Sequence, residues 1–304
     1  MAEPGKVRTN LEYWLARLIL GFFALLPLSM AIALGRAIGM LGLVSGKLRR
    51  TGRRNLELAF PELSGSERAR LLRQTFANLG RSLGVFSHFQ KESPATWREF
   101  VDCEGMEQVE AARRAGRGVI LFTGHIGVWE MSSFVFSIFA KPLGFLVRRI
   151  DNPKIEELVD RYRTSHGNRT IDKRFAAREM LQILRSGERL GILVDLNTLE
   201  REAVFVDFFG IKAATTFVVA KLALRTGAVV FPAFTPWDNK RKKLVFQVAE
   251  PLTFERTGDE REDILRLTQA MTTAVERYVR RYPDQWLWIH RRWKTRPPGE
   301  PPIY

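Results

Sequence analysis

Read as a pattern of apolar and polar positions, the chain opens on an uninterrupted apolar run. Leu18 to Gly35, LILGFFALLPLSMAIALG, carries no charged side chain and is bracketed by Arg17 and Arg36. As one helix it would be about 27 Å long, close to the ~30 Å of a bilayer's hydrocarbon. Pro27 sits in its middle, where a missing amide and a ring clash bend a helix. The run therefore predicts a short membrane span, or a bent helix lying in the interface. A cleaved signal peptide fits less well, because the stretch is long for one and no small-x-small site precedes a polar start.

Past the run the pattern changes. Ser64-Gly-Ser-Glu67 reads as a capping box, and Leu72, Phe76, Leu79, Leu83 and Phe86 then recur at helical spacing, most simply as core. Short apolar runs alternate with helical stretches from there on. Gly118–Thr123, Pro142–Arg148, Leu190–Asp195 and Ala228–Thr235 read as strands, and Lys243–Glu250 as an edge strand by its alternation. Helices are predicted from Trp129 onward, over Pro153–Arg163, over Phe175–Arg185 stopped by Gly187, over Thr215–Arg225 closed by Gly227, and over Ile264–Tyr282 ended by Pro283. Strands alternating with helices imply a layered α/β domain with a mainly parallel sheet flanked by helices. No repeat or interior linker interrupts it. The expected organisation is a membrane anchor over residues 1–46 and one catalytic domain over 47–304.

Charge adds a partner class. The chain carries 48 Lys and Arg against 33 Asp and Glu, a formal net charge of +15, which favours an anionic membrane, an acidic protein or nucleic acid. Arg36, Lys47, Arg49, Arg50, Arg53 and Arg54 follow the apolar run closely. Such a cluster is drawn to anionic headgroups, and the positive-inside rule then places the remainder on the cytoplasmic side. Cys103 is the single cysteine, so nothing calls for an oxidising compartment, and it reads as a small packed residue. The four histidines, His88, His125, His166 and His290, fall in no zinc spacing.

The chemistry concentrates in GVILFTGHIGVWE, residues 118–130. A buried strand runs into Gly124-His125-Ile126-Gly127 before a helix, and the carboxyl end of a strand is where ligands bind in an open α/β sheet. The glycines permit a tight turn and a close substrate approach. Glu130 follows five residues after His125, which on a continuous helix would set the side chains about 140° apart. Contact between them requires His125 on the turn and Glu130 in the first helical turn. A carboxylate on one imidazole nitrogen would leave the other free to take a proton. No G-x-S-x-G elbow is present, so direct attack by a hydroxyl on a thioester fits better than a covalent intermediate. Spacing alone leaves a packed, structural histidine as the alternative.

The His-x4-Glu turn resembles the His-x4-Asp/Glu signature of the glycerolipid acyltransferases. Taken with RRNLELAFPELS (53–64), VRRIDNP (147–153), VFVDFFG (204–210) followed by AATT, and YPDQWLWIHRRWKTRP (282–297), the chain resembles the bacterial lipid A biosynthesis acyltransferases from about Leu15 to Pro297. The resemblance implies His125 and Glu130 as the catalytic dyad, with Glu130 orienting the ring. It implies Arg148 as a holder of the thioester oxyanion or a substrate phosphate, with an interior ion pair as the alternative. Asp195 would position Arg148 or sugar hydroxyls, or simply cap a turn. Arg163 would bind the substrate headgroup. Val128, Leu196 and Arg149 stand where the family commonly has Asn, a polar residue and Pro, departures that bear on the acceptor pocket.

The resemblance further implies an acyl carrier protein or coenzyme A thioester as donor, a lipid acceptor, and no metal or organic cofactor. The expected place is the inner membrane, with the catalytic domain on its cytoplasmic face. The acceptor is expected to be a lipid A precursor, with a lysophospholipid, an aminolipid or a phosphatidylinositol glycoside as alternatives. A non-catalytic membrane- or nucleic-acid-binding protein is the reading from another class; it leaves the dyad unexplained, and nucleic acid is not an expected partner. The WLWIHRRWK block suits an interfacial aromatic belt, stacking on single-stranded nucleic acid, or ordinary packing.

Overall fold

Pro27 divides the apolar run instead of bending it. In a computed structural model, which describes residues 5–172 and 176–304, helix α1 (Lys6–Leu25) ends before the proline and α2 (Leu28–Gly39) begins after it. Leu26, the residue preceding proline, is extended, as the proline ring requires. Its carbonyl lies 3.0 Å from Nε2 of the buried His88. Among the described residues no single helix is long and apolar enough to cross a membrane. One bent pair, Leu28–Val44 with Gly46–Ala59 at 94°, passes that test together. The run, expected as a short span or a bent helix, is neither one straight helix nor one bent helix but two helices broken at Pro27.

After a 3-10 turn at Met40–Val44 come α3 (Gly46–Ala59) and α4 (Gly65–Phe86), the latter opened by the expected Ser64–Glu67 capping box. Glycines let α2 lie directly on α4. A Cβ on Gly80 would fall 1.8 Å from Gly35 O, and one on Gly35 would fall 2.2 Å from Gly80 O, so backbone meets backbone. The face of α4 that packs inward includes Leu72 and Phe76, whereas Leu79, Leu83 and Phe86 are only partly covered.

The remaining described elements are α5 (Pro94–Phe100), β1 (Val101–Glu104), α6 (Met106–Arg114), β2 (Val119–Thr123), α7 (Glu130–Phe139), β3 (Gly144–Val147), α8 (Pro153–Thr164) and β4 (Arg169–Asp172). They continue with α9 (Ala176–Arg185), β5 (Arg189–Leu193), β6 (Ala203–Phe208), β7 (Ile211–Thr216), α10 (Val218–Thr226), β8 (Val229–Phe234), β9 (Trp237–Asp238), β10 (Lys243–Val248) and α11 (Glu260–Arg281). Phe175, expected to open α9, lies outside the described residues. The sheet runs β1-β10-β8-β2-β5-β3-β4, parallel at every junction of that path except β10–β8, with β9 antiparallel on β10. This is the expected layered α/β architecture.

Two strand readings change. β10 is covered by β1 on its outer side and is no edge. The segment expected to begin a helix at Thr215 first completes a separate β6–β7 hairpin, because Thr215 is buried and its neighbours pair across the turn at Phe209-Gly210.

The central strand β2 is buried on both faces. Ile120 and Phe122 join a core with Leu190, Ile192, Met271 and Trp286, while Val119 and Leu121 join one with Phe134, Val135 and Phe231. Period-two alternation thus splits one apolar run between two cores. It also leaves the carboxyl end of β2 as the place where the chain must turn.

Candidate active site

Strand register brings the site together. β2 and β5 run parallel with Thr123 opposite Leu193, and the Val194 amide donates to Thr123 O at 3.0 Å. Two residues beyond each strand end stand His125 and Asp195. Asp195 Oδ1 lies 2.8 Å from His125 Nδ1, and Oδ2 accepts the His125 backbone N–H at 2.7 Å. The indole N–H of Trp286 donates to the same Oδ2 at 2.7 Å. Gly124 permits this approach, since a Cβ there would sit 3.0 Å from Oδ2.

Burial of Asp195 by itself would raise its pKa. The charge that His125 can carry, with the hydrogen bonds from the His125 ring and backbone and from Trp286, outweighs burial and holds the carboxyl below its ordinary range. An ionised carboxylate only accepts, so Nδ1 carries a proton and the lone pair of the neutral ring is on Nε2. Among the described residues Nε2 has no hydrogen-bond partner. The ring is 14% exposed and tilts against Trp129 at 5.1 Å between centroids. Nearby, burial pushes His290 down to about 4. It is neutral at pH 7, and its Nε2 accepts the Asn197 backbone N–H at 3.1 Å.

The turn that carries His125 is held from behind. Gly127, at φ 65°, donates to Gln285 O at 3.0 Å, and Val128 N–H donates to Thr235 O at 3.0 Å. Asn78 Nδ2 and Ser82 Oγ of α4 both donate to Gly127 O, at 3.1 and 3.3 Å. A Cβ on Gly127 would meet Thr235 O at 2.1 Å, so glycine is required there for space as well as conformation. The ring is pre-set by backbone bonds, not by loop chance.

Glu130 does not meet the imidazole. It opens α7, and Arg163 of α8 clasps it with two parallel bonds, Nε to Oε2 at 2.9 Å and Nη2 to Oε1 at 2.6 Å. The expected His125–Glu130 contact is corrected: the carboxylate on the ring is that of Asp195, because strand register supplies a nearer partner than the helix start does. Burial alone would lower the Arg163 pKa, but Glu130 and the acidic residues of α8 raise it overall, keeping the pair ionic. Arg148 is exposed beyond β3 and has no hydrogen-bond or ion-pair partner among the described residues. Asp195 therefore does not position Arg148. Arg149 pairs with Asp172 at 2.9 Å. Among the described residues no group of three His, Cys, Asp or Glu side chains could hold a metal ion.

Of the readings open for the aromatic–basic block near the C-terminus, ordinary packing is the one its tryptophans take. Trp286, Trp288 and Trp293 are fully buried. Arg292 is buried too, donating to Ala214 O at 2.7 Å and to Thr215 Oγ1, and burial pushes it down to about 10. The indoles are too large to leave in water when the β6–β7 hairpin covers them. Trp286 is the site residue that residue-type reasoning missed. Its signal was an indole N–H that burial obliges to find an acceptor.

Comparison with known proteins agrees with the geometry. Residues 5–295 match the family profile of the bacterial lipid A biosynthesis acyltransferases. The lipid A biosynthesis lauroyltransferase of Escherichia coli (strain K12) is 31% identical over 96% of this chain and 95% of its own. From the same organism, the palmitoleoyltransferase is 28% identical over 96% and 95%, and the myristoyltransferase 27% over 86% and 81%. A match of this extent, over a chain whose strand-end histidine is already paired with a buried carboxylate, makes the protein a member of the bacterial lipid A biosynthesis acyltransferase family.

Proposed function

We propose that the chain moves a fatty acyl group from a thioester to a hydroxyl of a lipid A precursor, with His125 Nε2 as the general base. The observation that carries this is the ring itself: Nδ1 is bound to the buried Asp195 carboxylate, and among the described residues Nε2 has no partner at the end of β2. Nε2 takes the acceptor's hydroxyl proton as its oxygen attacks the thioester carbonyl carbon. The tetrahedral oxyanion then collapses, the C–S bond breaks, and the imidazolium returns its proton to the departing thiolate. Asp195 remains a carboxylate throughout and stabilises the imidazolium.

Glu130 and Arg163 act as a unit beside this turn. Two of the five Arg163 donors are spent on Glu130, which leaves others for a phosphate or sugar oxygen of the acceptor. Arg148, exposed and without a side-chain partner among the described residues, suits an anionic group at the rim. The donor is an acyl carrier protein or coenzyme A thioester, and the +15 charge favours the acidic carrier.

The enzyme works at the cytoplasmic face of the inner membrane, with residues 1–46 as its anchor and 47–304 as its transferase. Support comes from the apolar surface. Among the described residues, the exposed large apolar side chains, Leu199 and Leu265 aside, all fall between Val7 and Val44. On α1, Val7, Leu11, Trp14, Leu18, Phe22 and Leu25 form one exposed stripe at helical spacing. A stripe of this kind fits a helix lying in the interface.

The test is acyl transfer on membranes, offering acyl carrier protein and coenzyme A thioesters against lipid A precursors and lysophospholipids, with product masses read out. His125→Ala should keep membrane attachment and lose transfer. Undiminished transfer by that variant would remove His125 as the base, and products on lysophospholipid alone would replace the acceptor.

A further inference from the structure

Between α3 and α4 runs a groove of about 630 Å³. Its floor is apolar, made by Leu43, Ala69 and Leu72, and Arg49, Arg53 and Arg73 stand along its rim, all three exposed. The rim is short of counter-charge. Glu57 is its one acidic lining residue among the described residues, 4.0 Å from Arg53. Among the described residues neither the Arg49 nor the Arg73 guanidinium has a hydrogen-bond or ion-pair partner. A fourth arginine, Arg68, is spent on the chain itself, donating to Phe60 O and Pro61 O at 3.2 and 3.5 Å.

The groove is continuous with the apolar surface of the N-terminal helices. Leu43, on its floor, belongs to the 3-10 turn that also exposes Leu41 at 67% and Val44 at 83%. An amphiphile lying in the interface beside that turn could slide an acyl chain over Leu43 onto Ala69 and Leu72 and leave its headgroup among the arginines. Guanidinium groups match phosphate oxygens in planar pairs, and a floor of aliphatic side chains matches a hydrocarbon tail. Charge, shape and position agree on one class of occupant. We infer that the α3–α4 groove binds an anionic phospholipid of the surrounding bilayer, separately from the acceptor that reacts at His125.

The inference rests on the surface location proposed above but not on the chemistry, and its readout needs no turnover. Retention would be measured by sedimentation with vesicles of phosphatidylcholine alone and with phosphatidylglycerol added. The full chain should prefer the anionic vesicles. The triple substitution Arg49→Gln, Arg53→Gln and Arg73→Gln should cut that preference by about tenfold or more, with little change on phosphatidylcholine. A charge-matched control, Arg114→Gln, Arg241→Gln and Arg261→Gln, removes three exposed arginines outside the N-terminal helices and should leave most of the preference. Ala69→Trp keeps every arginine but fills the floor, and it should lower the preference as well.

Equal losses in the triple variant and the control, or full preference in Ala69→Trp, would mean diffuse attraction and end the groove's role. If the triple variant keeps its vesicle preference yet loses transfer from carrier-protein thioesters and not from coenzyme A thioesters, the groove is a protein dock and the inference fails. His125→Ala should behave as the unmodified chain in this assay, so loss of the catalytic reading and loss of the groove are told apart.

Discussion

Trp286 donates its indole N–H to the Asp195 oxygen that already receives the His125 backbone N–H, each at 2.7 Å. With the ring on the other oxygen, Asp195 meets three donors and offers none. Asparagine cannot imitate that. Its amide oxygen could still accept the backbone and indole N–H groups, but its NH2 would then donate to Nδ1 and hold the ring as the Nε2–H tautomer, which cannot take a proton. Asp195→Asn should therefore fold and bind membranes but lose about 10³- to 10⁴-fold in kcat, by analogy with other His–carboxylate pairs. Trp286→Phe removes one donor only and should lose about tenfold. Single-turnover rates on the two variants check both; near-normal rates for Asp195→Asn would mean the pair is structural.

Arg163 and Glu130 should behave as one unit. Removing either partner leaves a largely buried charge, and each single variant, Glu130→Gln or Arg163→Met, should lose about 2 kcal/mol of stability. The double variant should recover part of that while remaining poor in KM for the acceptor. Denaturation midpoints and acceptor titrations for the set provide the measurement, and simple additivity would dissolve the unit.

His290 gives the fold an acid sensitivity of known sign. Its folded pKa is about 4, below the ordinary value of 6.5, so between these pH values the unfolded chain binds the extra proton. Stability contributed by the neutral ring is complete above pH 6.5 and is lost as pH falls toward 4. The whole effect, over the span from 6.5 to about 4, is on the order of 3 kcal/mol. Melting temperatures measured from pH 7 to 4.5 should fall less steeply for His290→Gln than for the unmodified protein.

The α2–α4 seam should tolerate no side chain. Gly80→Ala places a methyl within bonding distance of the Gly35 carbonyl, at 1.8 Å before relaxation, and the helices must part. A loss of about 3 kcal/mol is expected, read as a lowered denaturant midpoint. Gly65→Ala, where an added Cβ meets nothing within 4 Å, is the control and should be close to neutral.

The exposed stripe of α1 should govern attachment and not folding. Leu11→Ser with Leu18→Ser removes two side chains that are 69% and 67% exposed, so thermal stability in detergent-free buffer should hardly move. Partition onto neutral vesicles should weaken by about 2–4 kcal/mol if both side chains enter the bilayer. Unchanged partition would show that α1 does not face lipid.

Much of this molecule could be read along the chain. The alternation around Val119–Thr123, the glycines beside His125 and the Ser64 cap each express local chemistry, and each stands where its pattern pointed. The misread pairing was of another kind. Glu130 is near His125 in sequence and Asp195 is 70 positions away, yet register between β2 and β5 makes the distant residue the neighbour. No local pattern encodes which strand lies beside which. The same limit explains β10, whose alternation suited an edge until β1 closed over it. It explains the tryptophans too, which look alike whether water or a hairpin covers them.

Asn152 links two parts of the enzyme that could have been independent. Its Oδ1 accepts from the first amides of α8, the helix bearing Arg163, and its Nδ2 donates to Thr9 O and Glu12 of α1 at 3.0 and 2.9 Å. One amide side chain is thus a rivet between the greasy outer helix and the helix whose Arg163 clasps Glu130. The placement of α1 and that of α8 therefore share one side chain, and neither helix can shift far from the other without breaking its hydrogen bonds.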